Sequence, residues 1–333
     1  MVQNKDLGPL LGFNQTSKRM FFRWGINYMD NFYKEFEDRF RGSAETITSR
    51  QKFYLPFVEK VLAKTDSLGV LDLGCGRGEW LQLLSEKGYD AQGVDLDDGM
   101  LSVCYELHLK AEKKDVLEFL RSAKDHSYSV ITAFHVVEHL PFESLIYLVK
   151  EAHRVLVPGG ILVLETPNSE NLSVGSSTFY IDFTHNKPLP SELLAFITEY
   201  HGFGVNKVIR LNSSLTLDVD DRVDLFSVLT GVSRDYAIIA QKGGDPVISK
   251  DLTPLFSLNY GVSLAELSDK YDRQLKRCFE TFDKIYHDYT QLNEEYLRIV
   301  SSPSWKITFP FRFFWNTIEI VTRKIKNYLI TKT

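Results

Sequence analysis

Three cysteines in 333 residues, Cys75, Cys104 and Cys278, are too few and too unevenly spaced for a structural zinc site or a disulfide framework. Their odd number fits a reducing compartment. Long hydrophobic runs are lacking as well. No stretch approaches the roughly 20 apolar residues that span a bilayer, and Lys5, Asp6, Lys18 and Arg19 interrupt the opening residues, so no signal peptide is expected. The chain also lacks a positive balance: at a net charge of -5 it offers no broad basic surface for nucleic acid. These absences describe a cytoplasmic globular protein. Its 44% apolar content is enough for one large core and accessory parts.

The most informative segment is Asp72-Leu73-Gly74-Cys75-Gly76-Arg77-Gly78, which follows the apolar pair Val70-Leu71 and leads into Glu79-Trp80-Leu81. A buried strand, a glycine turn and a helix start in that order aim backbone N–H groups at a ligand. A dinucleotide fingerprint reads G-x-G-x-x-G, whereas here an acid precedes three alternating glycines. An acid so close to the loop repels a pyrophosphate and suits the ammonium group of a methionine moiety, which favours S-adenosylmethionine over NAD. Gly93-Val94-Asp95 ends a second strand and places a carboxylate for a ribose diol. Lys114-Asp115-Val116 closes a third, with Asp115 able to accept from an adenine amino group. Tyr128 to Phe134 reads as a fourth strand, and Ile161 to Glu165, after the turn Pro158-Gly159-Gly160, as a fifth. Strands alternating with helical segments predict an α/β fold with a parallel sheet covered on both faces.

Taken together, Val70 to Gly78, Gly93 to Asp95, Asp115, Phe134-His135-Val136-Val137-Glu138-His139-Leu140 and Pro158-Gly159-Gly160 make residues 68 to 241 resemble a class I, Rossmann-like, S-adenosylmethionine-dependent methyltransferase. The resemblance implies Asp72, Gly74, Gly76, Gly78, Asp95, Asp115 and His135 as cofactor-binding residues. A narrower likeness rests on Tyr33 to Ser43, Arg50, Tyr54-Leu55-Pro56-Phe57, Glu165-Thr166-Pro167-Asn168, Phe179 to His185 and Ser304 to Thr308. These segments are similar to methyltransferases of bacterial O-antigen and capsule gene clusters.

Around the core the chain divides into a helical leader or lid over residues 1–64, the methyltransferase domain over 65–242, a linker over 243–260, a coiled-coil helix over 261–301 and a basic amphipathic tail over 302–333. In the leader, Met29, Phe32, Tyr33, Phe36 and Phe40 recur at helical spacing, and Arg39, Arg41 or Arg50 could meet the cofactor carboxylate or an acidic substrate. In the fourth part, Tyr271, Leu275, Cys278, Phe282, Ile285, Tyr289, Leu292, Tyr296 and Ile299 alternate spacings of four and three. Such a seam pairs copies in a homo-oligomer or docks on the parent domain. The tail carries Lys306, Arg312, Arg323, Lys324, Lys326 and Lys332 against Glu319, mixed with aromatics. It suits an anionic membrane surface, which would make the protein peripheral on the inner membrane; alternatively it caps the coiled coil or recruits a glycosyltransferase.

Methyl transfer to an oxygen needs alignment, exclusion of water and a group that takes the hydroxyl proton. His135 and Glu138 follow the fourth strand, at the edge where ligands of such sheets bind, and His185 lies beyond the fifth. They are the catalytic candidates, His135 or His185 as base with Asp182 or Glu138 orienting it. His135-x-x-Glu138-His139 with His185 is also similar to the metal site of small-RNA 2'-O-methyltransferases, with His135 in place of a carboxylate, which implies manganese, iron or zinc. Structural histidines are the third alternative. The expected acceptor is a sugar, or a phosphate on it, in a lipid-linked polysaccharide or nucleotide-sugar-derived substrate. A quinone precursor, or a non-catalytic scaffold of polysaccharide assembly, stays open.

Overall fold

The computed structural model describes residues 42–65, 69–213 and 222–330. The chain forms two compact units, one ending at Leu267 and the other running from Ser268. The aromatic stripe of the leader, with Arg39 and Arg41, lies outside the described residues.

The first unit opens with helices α1 (Ala44–Gln51) and α2 (Leu55–Leu62). Ser43 caps α1, its hydroxyl accepting from Thr46 N, and Pro56 sits in the first turn of α2, where its missing N–H costs nothing. There follow β1 (Val70–Leu73), α3 (Glu79–Glu86), β2 (Ala91–Asp95), α4 (Asp98–Glu106), β3 (Ala111–Lys113), α5 (Val116–Ser122), β4 (Tyr128–Phe134), α6 (Phe142–Val155) and β5 (Leu156–Pro167). After β5 come α7 (Leu172–Ser176), α8 (Ser191–Tyr200), β6 (Phe203–Leu211), α9 (Leu225–Thr230), β7 (Asp235–Lys242) and α10 (Pro246–Phe256).

The seven strands form one sheet in the order β3-β2-β1-β4-β5-β7-β6. Pairing is parallel from β3 to β5, and β7 joins antiparallel to both β5 and β6. The β1–β4 neighbourhood is where chain order reverses, and ligands of open α/β sheets bind in the crevice there. Every residue of β1 is buried, as expected for a strand covered on both faces.

Side-chain alternation sorts the core into two layers. Leu71, Leu73, Ile131, Ala133, Leu162, Leu164, Tyr236 and Ile238 pack with α5, α6 and α8. Val70, Val130, Phe134, Ile161, Val163, Ala237 and Ile239 pack with α2, α3 and α10. The region read as a linker over 243–260 is corrected here. It carries α10, capped by Asp245 and buried through Ile248 and Leu252, because those apolar residues fall on one helical face and cover the second layer. The strand β6 was also not anticipated. Its polar residues Asn206, Lys207 and Arg210 mask the alternation of an edge strand.

In the second unit, α11 (Leu264–Ser301) has its last 34 residues, and α12 (Pro303–Ile307) and α13 (Phe309–Ile330) lie wholly within it. The seam residues Phe282, Ile285, Tyr289, Leu292, Tyr296 and Ile299 are all more than half exposed in the single chain. No described helix is long and apolar enough to cross a membrane.

Candidate active site

The glycine loop joins β1 to α3. Gly74, Gly76 and Gly78 all take positive φ, at 70°, 54° and 81°, a region that side chains with a Cβ enter at a cost. Space is excluded too: a Cβ at Gly74 would lie 2.4 Å from Val136 Cγ2 and one at Gly78 2.7 Å from Leu109 Cδ1. The loop therefore lies directly against the segment after β4.

Carboxyl groups anchor this loop. Asp95 accepts from Gly76 N at 2.8 Å through Oδ2 and from Asp97 N at 2.9 Å through Oδ1. A carboxylate has about four lone-pair sites, so both oxygens stay able to accept from a ribose diol while their backbone bonds hold them still. Asp115 caps α5, its Oδ1 taking Leu117 N and Glu118 N, which leaves Oδ2 for an amino group. Asp72 is placed differently. It is 2% exposed, pointing into the layer beneath the loop, and its Oδ1 accepts from Thr132 Oγ1 at 2.6 Å across the β1–β4 register. Arg77 links the loop to the leader, donating to the Gly42 carbonyl at 3.3 Å and to Glu79 at 2.8 Å. A glycine cradle at a helix start, flanked by fixed carboxylates, fits a cofactor with an amino group, a ribose and an adenine.

Beside the loop, the rim of the sheet gathers histidines and acids. His135, next after β4, has a φ of 55°. Its Nδ1 is 3.2 Å from Glu138 Oε1 and its Nε2 is 3.4 Å from Glu165 Oε1. Burial pushes the imidazole down, but the bonds to Glu138 and Glu165 outweigh it and hold His135 well above the usual histidine range. With a proton on each nitrogen, His135 is a fixed cation and not a proton acceptor. Burial would raise Glu138, yet the bond and charge of His135 keep it below the ordinary carboxylate value. Thr166 Oγ1 donates to Glu138 Oε2 at 2.9 Å.

The other two histidines have the opposite character. His185 Nδ1 lies 2.6 Å from the Phe179 carbonyl, which can only accept, so that nitrogen carries the proton. Thr184 Oγ1 gives its proton to Asp182 Oδ1 at 2.6 Å and therefore accepts from His139 Nδ1 at 2.8 Å. Both rings thus keep an Nε2 lone pair. Their centroids are 4.6 Å apart, and burial lowers His139 below the usual histidine value. The expected role of Asp182 in orienting His185 is not what the geometry shows. The Phe179 carbonyl does that, and Asp182 Oδ2 stands 3.8 Å from His185 Nε2.

The four residues named as metal ligands divide between two groups. Glu138, His139 and His185 converge in one, while His135 joins Glu165 and Asp235 in another. Glu165, Asp235 and Tyr54, whose hydroxyl donates to Glu165 Oε2, were not anticipated as site residues. The signal available was an acid ending the apolar run Ile161 to Leu164. Burial and then Glu165 raise the Tyr54 hydroxyl, and burial raises Asp235 against the pull of His135.

Glycine cradle, strand order and rim acids define an α/β protein that binds a nucleoside-bearing cofactor. The chain belongs to the S-adenosylmethionine-dependent methyltransferases. A methyltransferase domain family matches residues 46–205. A crystal structure of a methyltransferase of this cofactor from Archaeoglobus fulgidus is 33% identical; the match covers 63% of this chain and 100% of that one at a TM-score of 0.56. Among curated proteins, the ubiquinone biosynthesis O-methyltransferase of Leptothrix cholodnii is 31% identical over 121 residues, 34% of this chain and 50% of that protein. The demethylmenaquinone methyltransferase of Lactococcus lactis is 29% identical over 145 residues, 41% of this chain and 56% of that protein. The chain spans about half the length of these curated relatives.

Proposed function

We propose that the protein transfers a methyl group from S-adenosylmethionine to a phenolic hydroxyl of a flat, apolar, quinone-type acceptor, with His185 as general base. The cofactor, when bound, supplies a methyl group already activated by its sulfonium. The acceptor oxygen forms the new C–O bond as the C–S bond breaks, and the hydroxyl proton passes to His185 Nε2.

The observation that carries this reading is the fixed tautomer of His185, its Nδ1–H committed to the Phe179 carbonyl and its Nε2 lone pair left over. A phenol resembles tyrosine, with a pKa of about 10, and lies within reach of an imidazole base. A sugar hydroxyl is a far weaker acid, closer to water, and beyond the reach of such a base. The side chains that would greet a sugar are already engaged, since Thr184 Oγ1 donates to Asp182 and accepts from His139. Tyr180, Ile181 and Phe183 on the same segment are 60%, 45% and 56% exposed, a surface that suits an apolar ring. The names of the curated relatives support the same acceptor class.

A lipid-borne acceptor fits a peripheral place on a membrane. Phe311, Phe314, Trp315, Ile318, Val321 and Ile325 share one exposed side of α13, and around the rest of the helix Arg312, Arg323, Lys324 and Lys326 are interleaved with the exposed Phe309, Phe313 and Ile320. That arrangement favours lying on an anionic bilayer.

The test is incubation of the full chain with methyl-labelled S-adenosylmethionine and a prenylated dihydroxybenzene. Wild type should label the phenol oxygen, and His185→Ala should lower the rate at least about 100-fold with cofactor affinity unchanged by calorimetry. Labelling of a lipid-linked glycan but not the phenol would return the acceptor to a sugar.

A further inference from the structure

At the rim of the sheet, three strands deliver an imidazole and two carboxylates to one place. His135 follows β4 directly, Glu165 lies near the end of β5, and Asp235 opens the antiparallel β7, whose register sets it opposite Pro167. Glu165 and Asp235 both project into the layer under α2, by the alternation that also buries Val163 and Ala237 there. One ligating atom from each of the three residues lies within 4.8 Å of the others.

Each of the three is held from behind by a different partner. Glu138 Oε1 faces His135 Nδ1 at 3.2 Å, the Tyr54 hydroxyl donates to Glu165 Oε2, and Asn212 Nδ2 donates to Asp235 Oδ2 at 2.6 Å. Outer partners of this kind fix the tautomer and direction of metal ligands. The atoms left facing each other include His135 Nε2 and Glu165 Oε1, 3.4 Å apart. That is close to the edge of a coordination shell whose bonds are about 2.0–2.2 Å long. The His135 side chain is 41% exposed and that of Glu165 8%, so the group has an entrance from solvent and a buried floor.

We infer that His135, Glu165 and Asp235 bind a divalent cation of the manganese, iron(II) or zinc class, the ions that a mixed imidazole and carboxylate set takes. Binding displaces the proton shared between His135 Nε2 and Glu165 Oε1 to solvent, and Nε2 then donates its lone pair to the ion. An ion held there would leave positions for a phenol oxygen to enter from the exposed His135 side. That last role rests on the proposed function, whereas the binding itself does not.

The experiment uses the full chain stripped with a chelator and titrated with Mn2+ alone, free ion being read by electron paramagnetic resonance. No cofactor or acceptor is present, so the outcome is independent of which substrate is methylated. Wild type should bind one ion per chain. Glu165→Gln and Asp235→Asn should each weaken binding at least about 10-fold, and Tyr54→Phe, which alters only an outer partner, about 10- to 100-fold. His185→Ala should bind as wild type does. Calorimetry with S-adenosylmethionine on each variant reports whether the fold is kept. No stoichiometric binding by wild type overturns the inference. So does loss of binding in His185→Ala with retention in Glu165→Gln, which would move the ion to Glu138, His139 and His185.

Discussion

The bond from Tyr54 to Glu165 ties the leader helices to the rim of the sheet, and its removal has a calculable cost. Tyr54 is 1% exposed and Glu165 6%. In Tyr54→Phe the ring keeps its neighbours, Phe53 at 5.4 Å and Phe134 at 5.1 Å between centroids, so only the hydroxyl is lost. A buried carboxyl deprived of its donor costs about 1–3 kcal/mol. For a domain of this size about 1 kcal/mol moves the melting temperature by roughly 2–4 °C, so a fall of about 2–12 °C is expected in thermal unfolding of the chelator-treated chain. A double-mutant cycle with Glu165→Gln isolates the pair, and a coupling of at least about 0.5 kcal/mol is expected. Melting within about 1 °C of wild type, or additive single effects, would refute the claim that this bond holds the leader to the site.

Further outcomes follow from the same geometry. His108 has a φ of 56° and closes α4 in a Schellman motif, with Leu109 N bonding Cys104 O at 2.9 Å and His108 N bonding Tyr105 O at 3.1 Å; His108→Gly should therefore raise the melting temperature by roughly 2–4 °C, about 1 kcal/mol, and a lower value would count against it. Because His135 is raised in the folded state, its contribution is fully present below about pH 6.5 and is lost as pH rises through the folded value. The stability gap between wild type and His135→Gln, followed by urea unfolding without metal, should narrow from pH 6 upward; an equal gap at both ends of the range would contradict the doubly bonded cation. Co-sedimentation with vesicles should be strong for phosphatidylglycerol mixtures and weak for pure phosphatidylcholine, with each of Arg312→Gln, Arg323→Gln and Lys326→Gln weakening it by roughly 5-fold; equal binding to both vesicles would remove the anionic surface as partner.

Local rules made part of this protein legible. The alternating glycines after Asp72 had to form a left-handed turn between strand and helix, because only glycine enters that conformation freely. Apolar runs at Val70, Tyr128 to Phe134 and Ile161 to Leu164 had to be buried strands. Asp95 and Asp115 could be placed because each ends a local element, one a strand and one the cap of a helix. The helix α10 stayed hidden behind its Gly-Gly-Asp-Pro start, and β6 behind its edge-strand polarity.

The chemistry of the rim was not legible in that way. That His135 holds a proton on both nitrogens while His139 and His185 keep lone pairs depends on Glu138, Glu165, Thr184 and the Phe179 carbonyl, up to 45 residues distant in the chain. Tyr54 and Glu165, 111 residues apart, and Asp235, farther along the chain than both, are brought together only by strand register and by the parity that decides which face each side chain takes. Sequence by itself determined the strand-turn-helix cradle, since spacing within a few residues dictates backbone shape. Tertiary structure alone decided which imidazoles donate, which accept, and which acids meet, because protonation follows neighbours in space and not neighbours in the chain.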